Sequence, residues 1–149
     1  MLNDVYNKRI MSLAGNIPRI GRLKNPDATA TAFSRLCGSK VIVDLNVDDD
    51  HRVTDFAHDV KACVLGQASS SLMARHVIGM KLSDIKEIRD IVEKMLKDDG
   101  PPPGGRWEEF ACLEPIRDYK SRHASTLLTF DAVVDALTQI EEKGRAVIG

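Results

Sequence analysis

Residues 40–47 constrain the fold most: Val41, Val43, Leu45 and Val47 alternate with Ile42, Asp44 and Asn46, the period of a strand with one buried face. Asp48, Asp49 and Asp50 turn the chain after it. Weaker strands are predicted on either side, Ala30 to Leu36 and Arg52 to Val60, giving an antiparallel meander. Beyond Cys63 the period changes. Leu65, Ala68 and Leu72 share a helical face that closes near Gly79. Leu82, Ile85, Ile88, Ile91, Val92, Met95 and Leu96 then outline an amphipathic helix. The run from Asp98 to Gly105, with three consecutive prolines, reads as an exposed loop. A first helix is predicted from Asn3 to Ile17, ending before Pro18, and a last one from Leu128 to Glu142. Strands first and helices after imply an α+β fold, a small three-stranded antiparallel sheet with helices packed on one face. The 149 residues suit one domain spanning 1–149.

A formal net charge of −1 leaves no electrostatic footprint for nucleic acid or anionic lipid. No apolar run approaches the roughly 18 residues of a membrane span, and Met1 to Arg9 has no signal-peptide stretch. The expected setting is therefore the cytoplasm, with no nucleic-acid or membrane partner. Three cysteines are an odd number, and in a reducing compartment free thiols serve packing, metal ligation or sulfur chemistry.

Each thiol has two readings. Cys37, in Leu36-Cys37-Gly38-Ser39, sits beside a glycine at a sheet turn, where a sulfur is partly exposed and open to ligation; otherwise it is a small apolar residue ending a strand. Cys63 follows a strand and opens a helix, where free backbone N–H groups favour anions such as a metal-binding thiolate. The alternative is a buried cysteine heading a well-packed helix. Ser69, Ser70 and Ser71 argue against a merely local account of that helix, because serine is a poor helix former. Cys112, beside Phe110 and Leu113, reads as packing. His123 precedes the last helix and reads first as a surface or capping residue. His51, His58 and His76 lack ligand spacing, and no CxxC or HxxxH motif occurs.

The arrangement resembles the iron–sulfur cluster assembly scaffolds, the family of IscU, SufU and the NifU N-terminal domain. The family's Cys-Gly-Asp turn corresponds to Cys37-Gly38-Ser39. Its Cys-x-Ile-x-x-Ala-Ser-x-Ser helix start corresponds to Cys63-Val64-Leu65-Gly66-Gln67-Ala68-Ser69-Ser70-Ser71. Gly79-Met80-Lys81-Leu82 is similar to its Gly-Lys-Thr-Leu turn. The SufU-type Arg-x-x-Cys-Ala-x-Leu-x-Trp falls on Arg122 to Phe130, with Ser125 at the cysteine. Family members hold a nascent cluster or zinc through three cysteines and the aspartate. Two of the four persist here, Cys37 and Cys63; Ser39 and Ser125 stand at the others, and Val60-Lys61-Ala62 replaces a Gly-x-Gly. A neutral hydroxyl is a far poorer ligand than thiolate or carboxylate.

The resemblance implies a non-enzymatic scaffold or a sulfur or iron carrier. It would bind a transient iron–sulfur cluster, zinc or a persulfide through Cys37 and Cys63, with His123 a further metal ligand, or hold no metal when isolated. Its partners would be a cysteine desulfurase and apoprotein acceptors. The alternatives are a non-catalytic paralogue acting as a binding or regulatory domain, and a zinc-dependent sulfur-transfer protein. The resemblance also implies that the Cys37 and Cys63 sulfurs lie within roughly 8 Å at one end of the sheet, with Ser125 facing the same spot.

Overall fold

The computed structural model describes residues 7–35 and 38–148, the side chains of 145–148 excepted. Leu36 and Cys37, and the start of the predicted first helix, lie outside the described residues. Helix α1 (Lys8–Gly15) is capped by the Asn7 side chain, which accepts from the Ile10 N–H at 2.9 Å. Strands β1 (Ala28–Phe33), β2 (Lys40–Val47) and β3 (Val53–Lys61) form an antiparallel sheet in that order. Helix α2 (Val64–His76), helix α3 (Leu82–Lys97), a long 3-10 segment (Gly105–Asp118) and helix α4 (His123–Ile148) follow. The fold class is the one read from the sequence.

Alternation does its expected work in β2. Val41, Val43 and Leu45 are buried against the helices, together with Ala28, Ala30 and Phe56 of the flanking strands. Helix α2 lies at the centre of the domain and is buried nearly all round, from Leu65 to Ala74. Two of its serines therefore fasten it to other elements: Ser69 Oγ donates to the Thr126 carbonyl at 2.6 Å, and Ser71 Oγ donates to the Asn16 carbonyl just past α1 at 3.5 Å. Tertiary partners override the poor helix propensity here.

Several boundaries differ from the sequence reading: α1 ends at Gly15 rather than Ile17, β1 starts at Ala28 rather than Ala30, and α4 runs past Glu142 to Ile148. Helix α2 ends at His76 rather than near Gly79, whose N–H goes instead to the Val53 carbonyl. Helix α4 starts five residues before Leu128, because His123 to Leu127 continue its buried face. The stretch 105–118 is a 3-10 helix around Pro115, too irregular for a 3.6-residue period to reveal.

The largest departure concerns Asp44, which alternation places on the solvent face. It is fully buried. The chain from Pro18 to Asp27 bridges to His58 at the β3 edge and then reaches Asp44 on the face opposite the helices. Asp44 accepts from Arg22 Nε at 2.6 Å and Nη2 at 3.1 Å, the Leu23 N–H at 3.1 Å and Thr29 Oγ1 at 2.6 Å.

His58 is also fully buried. Its Nε2 donates to the Pro18 carbonyl at 2.9 Å, while Nδ1 has no partner. Burial holds this imidazole below its usual range, against smaller opposing effects from Pro18 and Asp59. Burial also lowers His76, which packs edge-on against Trp107. A base that titrates lower when folded costs stability once the unfolded chain protonates. Stability is thus full above about pH 6.5 and falls below it, by up to about 1.4 kcal/mol per pH unit for one proton. Urea titrations at about pH 7.5 and pH 5.5 should show this loss, and His58→Gln should flatten it while leaving the His76 share.

Candidate thiol site at the head of two helices

Strand β3 ends at Lys61, and two residues later the chain enters α2. Cys63 is the N-cap residue, with extended backbone (φ −65°, ψ 169°). Its carbonyl accepts the first intrahelical bond, from the Gln67 N–H at 2.9 Å, but its side chain does not cap the helix. The half-buried sulfur is therefore left for another partner. That partner is Ser125 Oγ at 3.0 Å, in the first turn of α4 and 1% exposed. The first turns of α2 and α4 thus meet at this contact.

Gly66 permits the meeting. A Cβ built on it would lie 2.8 Å from the Ala62 Cβ and 2.9 Å from Ser125 Oγ. Real Cβ atoms are not found that close, so any larger residue at 66 must displace Ala62 or the Ser125 side chain.

Phe33 pairs with Lys40, and Lys40 with Lys61, so the β1–β2 turn and the exit of β3 share one end of the sheet. The Ser34 N–H reaches the Ser39 carbonyl at 2.8 Å, and the Gly38 N–H reaches the Ser34 carbonyl at 2.9 Å. Gly38 has φ +69°, a left-handed conformation that glycine adopts without strain. Ser39 is buried, 2% exposed. Cys37 itself lies outside the described residues, so its distance to Cys63 does too.

His123 is placed differently from the sulfur-facing ligand considered above. It is buried, and its Nε2 donates to the carbonyls of Ile116 and Arg117 at 3.0 and 3.2 Å. Two residues along a helix turn through roughly 200°. His123 therefore ties the 3-10 segment to α4 from the side opposite Ser125. Among the described residues, no three His, Cys, Asp or Glu side chains converge as a metal site.

Cys112 packs against the core from the 3-10 segment, and burial pushes its thiol up to about 11. A thiol held protonated is inert as a nucleophile or ligand. Cys112→Ala should cost about 1 kcal/mol in urea unfolding and leave metal or sulfur loading unchanged. Lost loading would assign it a ligand role.

Comparisons with known proteins identify the family and the fold. Residues 5–126 match the NifU-like N terminal domain family. The chain belongs to that family. A relative named iron–sulfur cluster assembly scaffold protein IscU, from Thermotoga maritima, is 25% identical over 136 residues, 91% of this chain and 94% of its own length. A protein of the same name from Rickettsia prowazekii is 27% identical over 124 residues, 78% of this chain and 93% of its own. The crystal structure of a nitrogen-fixing NifU-like protein (N-terminal) from Brucella abortus is 59% identical and superposes with a TM-score of 0.92, covering 95% of this chain and 98% of that one. The SUF-system scaffold candidate FiSufU of Fervidobacterium islandicum AW-1 shares the fold at a TM-score of 0.81 and 19% identity, covering 91% and 98%.

Sequence reading had brought Cys63 and Ser125 to one place. It had missed the role of Gly66, whose only signal was a glycine in the first turn of a helix rich in small residues.

Proposed function

We propose that this NifU-like domain is an iron–sulfur cluster assembly scaffold, or a sulfur or iron carrier accessory to that assembly. It holds its cargo through Cys37 and Cys63. One observation carries the reading: the Cys63 sulfur is not used to cap its own helix and is presented beside the turn that bears Cys37. Membership of the family and the IscU-named relatives, matched over nearly their whole length, support it. The work is carriage of iron, sulfide or zinc rather than turnover of a small substrate. A cysteine desulfurase supplies sulfur and apoproteins receive the product. The domain spans 1–149 and acts in the cytoplasm; no helix among the described residues is long and apolar enough to cross a membrane.

The donors fit a transient cargo better than a tightly held one. Ser125 presents a neutral hydroxyl where the family motif has a thiolate, and His123 Nε2 is committed to two carbonyls. The same hydroxyl favours a second reading, a non-catalytic paralogue that keeps the fold to bind or regulate the machinery.

Anaerobic reconstitution with ferrous iron and sulfide tests the choice. The protein should take up iron and acid-labile sulfide weakly, and both Cys37→Ala and Cys63→Ala should abolish uptake. Uptake that neither substitution changes would sink the scaffold reading.

A further inference from the structure

The contact between Cys63 and Ser125 has a chemistry beyond that of a missing ligand. Ser125 is the hydrogen-bond partner seen for the Cys63 sulfur, and it lies at the other end of a close helix approach that Gly66 allows. A hydroxyl can donate or accept as its proton rotates. With Cys63 as a thiol, either group donates. With Cys63 as a thiolate or a persulfide, the inner sulfur has no proton, so Ser125 donates and the same 3.0 Å contact survives. The pair is satisfied in every state that a sulfur carrier visits. As a metal ligand the neutral hydroxyl would contribute little.

We propose that Ser125, admitted by Gly66, is the positioning residue that holds the Cys63 sulfur for transfer of sulfane sulfur from a cysteine persulfide. This rests on the carrier reading above and names its substrate class. In the step, the Cys63 thiolate attacks the outer sulfur of the donor persulfide. A new S–S bond forms on Cys63, the donor's S–S bond breaks, and the donor leaves as a thiolate. The step is an exchange with no net oxidation. Ser125 touches the attacking atom, and Gly66 acts by the room it leaves for Ser125 and for Ala62 beside Cys63.

The protein, treated anaerobically with sodium tetrasulfide, reads this out by mass spectrometry of the Cys63 peptide. Cys63 should gain sulfur, and Ser125→Ala should slow that gain about tenfold, the worth of one hydrogen bond, followed as the modified fraction of the Cys63 peptide. Gly66→Ala should slow it similarly by displacing the hydroxyl. The double variant should lose less than the product of the two single effects, because both remove the same contact. A purely structural role would give additive losses of stability and leave the rate of Cys63 loading unchanged; that result overturns the proposal. Equal rates in wild type and Ser125→Ala do the same. Wild type that binds zinc through Cys63 but never takes sulfur refutes this proposal alone, whereas wild type that takes neither sulfur nor metal refutes the carrier reading as well.

Discussion

Replacing Ser39 by Asp and Ser125 by Cys together is expected to raise zinc affinity by on the order of 10⁴-fold. Structural zinc sites are worth roughly 10–16 kcal/mol over four ligands, about 3 kcal/mol each, and tenfold in affinity is about 1.4 kcal/mol. Two restored anionic ligands therefore give about 6 kcal/mol if the geometry is retained. The geometry at 125 favours this, since Ser125 Oγ already lies 3.0 Å from the Cys63 sulfur. The same proximity carries a cost. A cysteine at 125 is close enough to Cys63 to oxidise to a disulfide, so the gain should appear only in reduced, anaerobic protein and vanish on oxidation. Titration against a competing chelator, reduced and oxidised, measures both. Tight stoichiometric binding by wild type, abolished by His123→Ala, would instead establish a rearranged site. No gain in the reduced double variant would favour the paralogue reading.

Asp44→Ala is expected to be the most destabilising single change outside the apolar core, at about 3 kcal/mol or roughly 10 °C in Tm. It leaves the Leu23 N–H and Thr29 hydroxyl without their acceptor and detaches Arg22, itself half exposed, from the sheet. Burial alone would push the Asp44 carboxyl up. Hydrogen bonds from Arg22, Thr29 and Leu23 and the charge of Arg22 outweigh burial and hold it below the usual carboxylate range. Its contribution is then complete above about pH 5 and lost as pH falls through that lowered value. Thermal unfolding at about pH 7 and pH 3 should show wild type converging on the variant at the lower pH. A change under about 1 kcal/mol at neutral pH would mean that water replaces all four partners.

How much was legible in the sequence follows from the range of the forces involved. Strand β2 and helix α3 were readable because burial on one face writes a period of two or of 3.6 directly into neighbouring residues. The order of strands before helices was enough for the α+β class, and the small-residue motif after Cys63 was enough to place that thiol at a helix start. Other features depend on partners distant in the chain. Asp44 reads as a solvent-facing residue until Arg22, Leu23 and Thr29 close over it. Ser69 and Ser71 of α2 look like poor helix formers until Thr126 and Asn16 meet them. His123 and Ser125 are two residues apart in sequence, yet helix geometry sends one to the 3-10 segment and the other to Cys63. By itself the sequence determined the elements, their order and the two thiols worth attention, because those are local. Only the tertiary structure decided which hydroxyl the Cys63 sulfur meets and that Gly66 admits it, because a 3 Å contact between residues 62 apart depends on how closely two helices pack.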